Sequence, residues 1–245
     1  MTRIVNNCVA LVCLCLFWGQ SLRAADASHS EQIKWGNESV FNEEHNTLGL
    51  FSGVLGGQIV LAGGTSDDYS RWGRNAVCLS ENAGFALYED VLSKPLAYGA
   101  SITLSDGILC IGGRDSSQCY KDVFLVTMQQ GKLNVSEDWP PLPFPLSNAA
   151  GALLDNKVYL FGGRKSVSPS RLSDSFFVLD LSNKSRGWKE LPGYPGCVRE
   201  DAILVVQNNG VSPCLYLLGG QTETEEGLSS CLTDGYVYNP QLGKW

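Results

Sequence analysis

Four short apolar runs, each ending in a Gly-Gly pair, constrain this chain more than any other feature. They occupy Gln58–Gly64, Gly107–Gly113, Lys157–Gly163 and Cys214–Gly220. β-Branched and aromatic residues suit a pleated, packed surface. Paired glycines let the backbone take a positive φ, or pass close to a neighbouring strand where a Cβ would clash. Each run therefore predicts a buried strand that ends at a tight backbone contact.

The spacing of the four pairs predicts a repeat. The second glycines are Gly64, Gly113, Gly163 and Gly220. A tryptophan follows each of the last three pairs about half a repeat later, at Trp139, Trp188 and Trp245. Two markers in phase at a period of about 50 residues are typical of the kelch blade of a β-propeller. We therefore expect an all-β fold of the kelch-propeller class.

Each repeat is expected to supply four strands. The predicted inner strands are rich in small residues, as a narrow central channel requires, and span Leu48–Leu55, Tyr98–Leu104, Asn148–Leu154 and Arg199–Val206. The Gly-Gly strand is second, and the third follows Asn75, Asp122, Asp174 or Asp234. The tryptophan marks the outer strand, with Tyr88 in its place in the first blade. The predicted blades are residues 48–92, 98–139, 147–191 and 198–245.

A short segment before the first blade, residues 33–35 (Ile-Lys-Trp), looks like a further outer strand. In closed propellers such a strand completes the last blade, whose inner strands come from the C-terminus. Propellers have four to eight blades. We therefore expect four recognisable four-stranded blades of a six-bladed ring, in a chain truncated at its C-terminus. A four-bladed ring is the alternative, and it leaves residues 33–35 without an obvious partner.

The N-terminus predicts export. Arg3 precedes a short apolar region, and Ala25-Asp26-Ala27 resembles a signal-peptidase site. We expect residues 1–27 to be a signal peptide, residues 28–245 to be the propeller, and the location to be periplasmic. No later apolar run approaches the length of a membrane span. The formal net charge is −7, and cleavage would remove Arg3, Arg23 and Asp26 and make it −8. Such an acidic chain is not expected to bind nucleic acid.

Six cysteines follow the signal segment: Cys78, Cys110, Cys119, Cys197, Cys214 and Cys231. An even number in an exported chain permits disulfides. Two of the six lie within predicted core strands, where a free thiol behaves as a small hydrophobic group. We expect mostly free, buried thiols, with a Cys197–Cys214 or Cys119–Cys231 bridge as the alternative.

Two segments extend the assignment beyond a generic kelch protein. They are Leu96–Ala100 (LAYGA), which leads into the second blade, and Tyr194–Glu200 (YPGCVRE), which leads into the fourth. With them, residues 48–245 resemble the N-acetylneuraminate epimerase (sialic acid mutarotase) family, and in particular its cyclically permuted branch. The resemblance implies a six-bladed propeller of the bacterial envelope that interconverts the α and β anomers of N-acetylneuraminate. It implies a sugar acid as the partner and no cofactor.

This reaction indicates which residue types to seek. Arginine matches a carboxylate bidentately, and the candidates for binding the substrate are Arg114, Arg164 and Arg199. Their repeat positions are expected to point towards one channel mouth; the alternative is that they are solvated loop residues. Ring opening also needs proton transfer, for which Glu200 and Asp201 are the candidates. Neither matches the family's proposed proton acceptor, whose blade we do not find. We therefore expect the chain alone to lack mutarotase activity.

Other functions are less consistent with the sequence. The only histidines, His29 and His45, precede the first blade, so neither a Ser-His-Asp triad nor a copper centre is expected within it. No C-x-x-C pair suggests zinc, and no metal site is expected. The alternative function is an exported, non-enzymatic kelch module that binds a glycan or a protein partner through the loops 65–74 and 221–232.

Overall fold

The computed structural model describes residues 48–80, 84–224 and 227–245. These ranges contain nineteen β-strands and one short 3-10 helix. The predicted signal peptide and the predicted strand at residues 33–35 lie outside the described residues. No helix within the described ranges is long and apolar enough to cross a membrane. The all-β class predicted from the Gly-Gly repeat is confirmed.

The first two blades are regular antiparallel sheets of four strands. The first contains β1 (Phe51–Leu55), β2 (Gln58–Ala62), β3 (Ala76–Ser80) and β4 (Gly84–Tyr88). The second contains β5 (Ala100–Thr103), β6 (Ile108–Ile111), β7 (Val123–Gln129) and β8 (Lys132–Ser136). In both, strands pair in sequence order from the inner to the outer edge, as expected for propeller blades.

The last two blades carry an extra hairpin after the Gly-Gly pair. The third contains β9 (Ala150–Leu154), β10 (Lys157–Phe161), the hairpin β11 (Arg164–Ser166) and β12 (Arg171–Leu172), β13 (Phe176–Asp180), the 3-10 helix Leu181–Arg186, and β14 (Lys189–Glu190). The fourth contains β15 (Ile203–Asn208), β16 (Pro213–Leu218), the hairpin β17 (Gln221–Glu223) and β18 (Ser229–Cys231), and β19 (Gly235–Tyr238).

Two details of the predicted outer strands are wrong. The fourth blade has three strands in its sheet, with only an isolated bridge between Asn239 and Lys244 beyond β19. The three tryptophans lie outside the strands rather than within them. Two of them, Trp188 and Trp245, donate their indole N–H groups to the carbonyls of Pro140 and Pro192, at 3.0 and 3.2 Å. Trp188 and Trp245 thus each connect a blade to the linker that precedes it, at equivalent positions of the repeat.

The apolar core lies between successive blades, in three layers. Phe51, Val60 and Phe124 are buried between the first and second blades, and further clusters fill the second and third layers. The Gly-Gly pairs form the seams. The first glycine of each of the first three pairs has a positive φ, and a Cβ there would overlap a carbonyl of the next linker, as at Gly112 and the Leu146 oxygen. The second glycine donates its N–H to the same carbonyl, at 2.8 Å for Gly113.

The cysteines follow the expectation of free thiols. All six described cysteines are free, and Cys78, Cys110, Cys119 and Cys214 are buried. The alternative bridges Cys197–Cys214 and Cys119–Cys231 are absent from the described part of the chain. The other two, Cys197 and Cys231, are exposed, so the prediction that most of the thiols are buried is confirmed for four of six.

Candidate functional site

Four repeat-equivalent residues line one end of the inner strands, and we call them the mouth row. They are Gly49, Tyr98, Asn148 and Asp201, each two residues before an inner strand. All four have a positive φ, of 65, 60, 55 and 52°. Each of the last three donates its backbone N–H to the carbonyl of the preceding member, at 2.7, 2.6 and 3.0 Å. The repeat thus fixes the backbone of the row, while its side chains differ from blade to blade.

The residue after each Gly-Gly pair lies beside this row. Arg114 forms a β-bridge with Ala97, and Arg164 forms one with Ser147, so each is paired with the residue that precedes a mouth-row member. The expectation that Arg114 and Arg164 share the channel mouth agrees with this placement. Their side chains, however, have very different surroundings.

Arg114 is surrounded by aromatic rings. Its guanidinium carbon lies 4.6 Å from the ring centre of Tyr98, 5.1 Å from that of Trp72 and 5.9 Å from that of Tyr69. Among the described residues, no carboxylate oxygen lies within 4.0 Å of Arg114, and its Nη1 is 3.5 Å from the Asp115 carbonyl. A guanidinium without a carboxylate partner has N–H groups that can bind a planar anion.

A tightly hydrogen-bonded loop, residues 65–74, holds two of these rings in place. The Asp68 carboxylate accepts hydrogen bonds from the Ser66 and Ser70 hydroxyls, at 2.6 and 2.8 Å, and from the Ser70 N–H at 3.0 Å. These bonds, with that from Ser66 the largest contribution, lower the pKa of Asp68 to about 2. The indole of Trp72 donates to the Tyr69 carbonyl at 3.1 Å. The loop is therefore a preorganised support for the exposed ring of Tyr69.

Arg164, in contrast, forms ion pairs with two carboxylates. Its Nε donates to Glu200 Oε2 at 2.8 Å, its Nη2 pairs with the other oxygen of Glu200, and Glu223 lies 3.1 Å away. Ser170 bonds both Arg164 and Glu223. The hydrogen bond with Glu200 is the main reason that the pKa of Arg164 is raised. This network ties the hairpin of the third blade to that of the fourth, and it leaves neither Arg164 nor Glu200 free for a ligand.

Asp201 is the carboxylate of the mouth row. Its Oδ1 accepts a hydrogen bond from Asn148 Nδ2 at 2.9 Å. Its pKa is raised, chiefly because the surrounding protein reduces its solvation; the bond from Asn148 opposes this, and the charge of Glu200 adds to it. Arg164 and Arg114 both act on Asp201 in the opposite direction. A carboxylate with a raised pKa is a better proton acceptor than an ordinary one.

The structure places Arg199 in the interior, which corrects its expected position at the mouth. Its side chain is 0% exposed. Its guanidinium donates to both oxygens of Asp234, at 2.6 and 2.9 Å, to the Gly219 carbonyl at 2.8 Å and to the Tyr194 hydroxyl at 3.0 Å. Burial acts to lower the pKa of Arg199, but the bonds to Asp234 and Tyr194 outweigh it and raise the pKa.

The repeat itself explains this burial. The carbonyl of Arg199 accepts the N–H of Gly163, just as the carbonyls of Leu96 and Leu146 accept the N–H groups of the two preceding Gly-Gly pairs. Arg199 therefore occupies a position that is leucine in the earlier blades, where exposure is 2% and 1%. Its hydrogen-bond partners are residues of its own blade and linker, so its guanidinium has no edge left for a substrate.

Sequence reasoning missed three members of the site. Tyr69 and Trp72 lie in the loop 65–74, which the sequence suggested only as a contact surface of the alternative binding module, and nothing in the repeat marks these two residues. Asn148 is detectable only by aligning the residues two places before each inner strand, which also aligns Tyr98 with Asp201. Among the described residues, no group of three or more His, Cys, Asp or Glu side chains is placed to hold a metal ion.

A cavity of about 460 Å³ lies elsewhere, between the first two blades. Its lining includes Leu92, Lys94, Asp122 and Trp139, and none of the mouth-row residues. In the next layer, the linker position equivalent to Lys94 is Phe144, whose ring packs against Phe177 at 5.4 Å. Lys94 instead forms an ion pair with Asp122 at 2.6 Å, and the candidate site remains the mouth.

Comparisons with known proteins agree with the sequence resemblance. Residues 139–245 match the family model for N-acetylneuraminate epimerase. Proteins named N-acetylneuraminate epimerase from Yersinia pestis and Haemophilus influenzae are 30% and 31% identical over 112 and 110 residues, 45% of this chain in each case. A kelch domain-containing protein of Vibrio cholerae is 32% identical over 107 residues. The matched segment spans about a quarter of the length of these relatives, 26% for the two epimerases.

A solved structure, that of YjhT, has the same fold. It superposes with a TM-score of 0.60 and 14% sequence identity, covering 78% of this chain and 68% of YjhT. The family match includes Tyr194–Glu200 and the fourth-blade part of the mouth, whereas the Leu96–Ala100 segment precedes it. The chain is a kelch-type propeller, and over residues 139–245 it has the sequence pattern of the N-acetylneuraminate epimerase family.

Proposed function

We propose that the mouth binds N-acetylneuraminate and interconverts its α and β anomers. The observation that carries the proposal is Arg114, a cation with no carboxylate partner in the described structure, held among aromatic rings beside the mouth row. The family match to residues 139–245 supports the same sugar acid. The whole chain is acidic, so a locally unpaired arginine is what an anionic ligand requires at short range.

In this proposal Arg114 binds the carboxylate of the sugar. A planar carboxylate accepts two parallel hydrogen bonds from the edge of a guanidinium, and such charge-assisted pairs are about twice as strong as neutral hydrogen bonds. The ring centres of Tyr98 and Trp72 lie 4.6 and 5.1 Å from the guanidinium carbon of Arg114, and this packing limits the rotamers of Arg114, so less side-chain entropy is lost on binding. Asn148, also in the mouth row, supplies a polar group for the hydroxyls of the sugar.

Asp201 accepts the proton in the proposed reaction. Anomers interconvert when the anomeric hydroxyl loses its proton to Asp201, the bond from the anomeric carbon to the ring oxygen breaks, and the ring oxygen gains a proton from water at the open mouth, which leaves hydroxide. When the ring recloses, the hydroxide takes back the proton of that hydroxyl and Asp201 returns its own proton to the new anomeric oxygen. Reclosure on the other face gives the other anomer. The raised pKa of Asp201 suits it to the first step. Asp201 is thus a candidate base that could replace the proton acceptor proposed for the family. The expectation of an inactive chain rested on not finding the blade that carries that acceptor.

The proposal includes export to the periplasm, which only the residue pattern of the N-terminus supports. It does not include a protein partner, since no described contact or comparison points to one. The comparisons favour the epimerase-like function over the non-enzymatic binding module.

The test combines binding with anomer exchange. We expect titration calorimetry to detect N-acetylneuraminate binding that is lost in Arg114→Met, and NMR exchange spectroscopy to detect catalysed equilibration that is lost in Asp201→Asn. Arg171→Met, which removes an exposed arginine on the adjacent hairpin, is the control for net charge and should leave both unchanged.

Two results would count against the proposal. Undiminished sugar binding in Arg114→Met would remove Arg114 from the site. Binding without any rate enhancement would leave the chain as a sugar-acid binding protein, in agreement with the expectation that it lacks mutarotase activity by itself.

A further inference from the structure

Three aromatic side chains form one continuous platform beside Arg114. The rings of Tyr69 and Tyr98 are stacked at 22° with their centres 6.5 Å apart, and Trp72 meets Tyr98 edge-on at 6.3 Å. The hydroxyls of the two tyrosines lie 3.4 Å apart. Tyr69 is 50% exposed. The platform is open to solvent on the side of the Tyr69 ring.

Two residues of this platform have an unfavourable backbone conformation. Tyr69 and Tyr98 both have a positive φ, of 59 and 60°. Such a φ is uncommon for residues other than glycine and is a clear outlier for a bulky side chain. The equivalent of Tyr98 in the first blade is Gly49, for which this conformation costs nothing. Outliers of this kind cluster at ligand sites, because the surrounding structure must maintain them.

The distances fix what such a platform can contact. The three ring centres lie between 4.6 and 5.9 Å from the guanidinium carbon of Arg114. When a ligand carboxylate binds the edge of that guanidinium, only the ligand atoms next to the carboxylate come within van der Waals distance of the rings. An aromatic face is favourable for C–H groups and unfavourable for a hydroxyl, which would lose its hydrogen bonds to water there.

We propose that this site selects sugar acids whose carboxylate is attached to the anomeric carbon and is followed by a methylene group, the 3-deoxy-ulosonic acids. This inference rests on the proposed function and widens its substrate class. The methylene, next to the carboxylate-bearing carbon, lies against the platform. The acetamido group of N-acetylneuraminate is further along the sugar ring, and in this proposal the platform does not contact it. Uronic acids, whose carboxylate is at the far end of the ring among hydroxyl-bearing carbons, fit poorly.

The experiment compares three sugars on the full chain by titration calorimetry. The probes are N-acetylneuraminate, 3-deoxy-octulosonate, which has the methylene but no acetamido group, and glucuronate, which has neither. We expect the first two to bind with similar affinity and glucuronate about tenfold or more weakly. Tyr69→Leu, which removes the exposed ring, should weaken both ulosonic acids by about two- to tenfold, the range of an aromatic contact. It should leave glucuronate unchanged.

Tyr69→Phe is the matched control, since it keeps the ring and removes only the hydroxyl; it should preserve the selectivity. Circular dichroism on each variant establishes that the loop substitution leaves the blades folded. Equal binding of all three sugars, or a requirement for the acetamido group, overturns the methylene inference and leaves the proposed site at Arg114 intact. Failure of all three sugars to bind overturns the proposed function, and the inference with it.

Discussion

Replacing Arg199 with methionine separates a structural arginine from a substrate-binding one. Methionine keeps the apolar stem that packs between the third and fourth blades and removes only the guanidinium. That group makes hydrogen bonds to Asp234, Gly219 and Tyr194, and its carbon lies 5.2 and 5.3 Å from the ring centres of Tyr194 and Tyr236. All of these partners belong to the fourth blade or its linker.

The expected cost follows from what each partner loses. The buried Tyr194 hydroxyl and the Gly219 carbonyl each lose a hydrogen bond, at about 1 kcal/mol apiece. Asp234 loses its cation, but its side chain is 38% exposed and keeps a bond from Tyr236 at 3.0 Å, so water compensates it in part. Breaking a buried ion pair costs about 3–5 kcal/mol, and this solvation places Arg199→Met at the lower end, about 3 kcal/mol.

Urea unfolding followed by circular dichroism measures this loss. With a slope of about 2 kcal/mol/M, the midpoint should fall by about 1.5 M. Arg114→Met is the matched control, because its guanidinium has no carboxylate partner among the described residues. Its loss should cost less than about 1 kcal/mol. Sugar binding should show the reverse order. Unchanged stability in Arg199→Met, together with lost binding, would refute the structural role and return Arg199 to the site.

Three further predictions concern the seams and the mouth. Gly112→Ala should cost at least about 2 kcal/mol more in urea unfolding than Gly219→Ala. Both glycines have a positive φ, but only at Gly112 would a Cβ overlap a backbone oxygen, the nearest atom at Gly219 being 3.4 Å away. Glu200→Gln should lower stability by about 1–2 kcal/mol in the same assay and show coupling with Arg164→Met in a double-mutant cycle. The reason is that the side chains of Arg164 and Glu200 are only 20% and 12% exposed. Because the pKa of Asp201 is raised, lowering the pH neutralises its negative charge at a higher pH than that of an ordinary aspartate. Calorimetry should then show stronger sugar binding and NMR slower anomer exchange, and Asp201→Asn should remove both pH effects.

The fold was predictable because its seams need particular residues. A glycine at positive φ against the next linker tolerates no Cβ, so the Gly-Gly pairs recur wherever one blade meets another. The inner strands β1, β5 and β9 consequently lie inside the predicted ranges, and β15 starts inside its range and ends two residues beyond it. The outer edge was less predictable, because the tryptophans mark contacts with linkers rather than strands.

The site was only partly predictable, because residue type does not reveal which way a side chain faces. Arg114, Arg164 and Arg199 look alike in sequence, yet one is surrounded by rings, one is paired with two glutamates and one is buried. Partners distant in sequence decide the difference: Glu200 and Glu223 are 36 and 59 residues from Arg164. Comparing repeats was the available signal, since the position of Arg199 is leucine in two earlier blades.

Comparing equivalent positions of the repeats also shows which positions of this propeller can carry binding residues. At the seams, the backbone and the side chain are both constrained, so Leu96 and Leu146 recur and even the arginine that replaces them is neutralised inside. At the mouth row the backbone is constrained by its positive φ and its N–H···O bonds, whereas the side chains differ from blade to blade and contact one another across blades, as Asn148 does with Asp201. A Cβ at Gly49 would meet the ring of Tyr98 at 2.9 Å, so the residue of the first blade is coupled to that of the second. The row therefore presents different side chains on one fixed backbone, and Arg114, which has no carboxylate partner among the described residues, lies directly beside it.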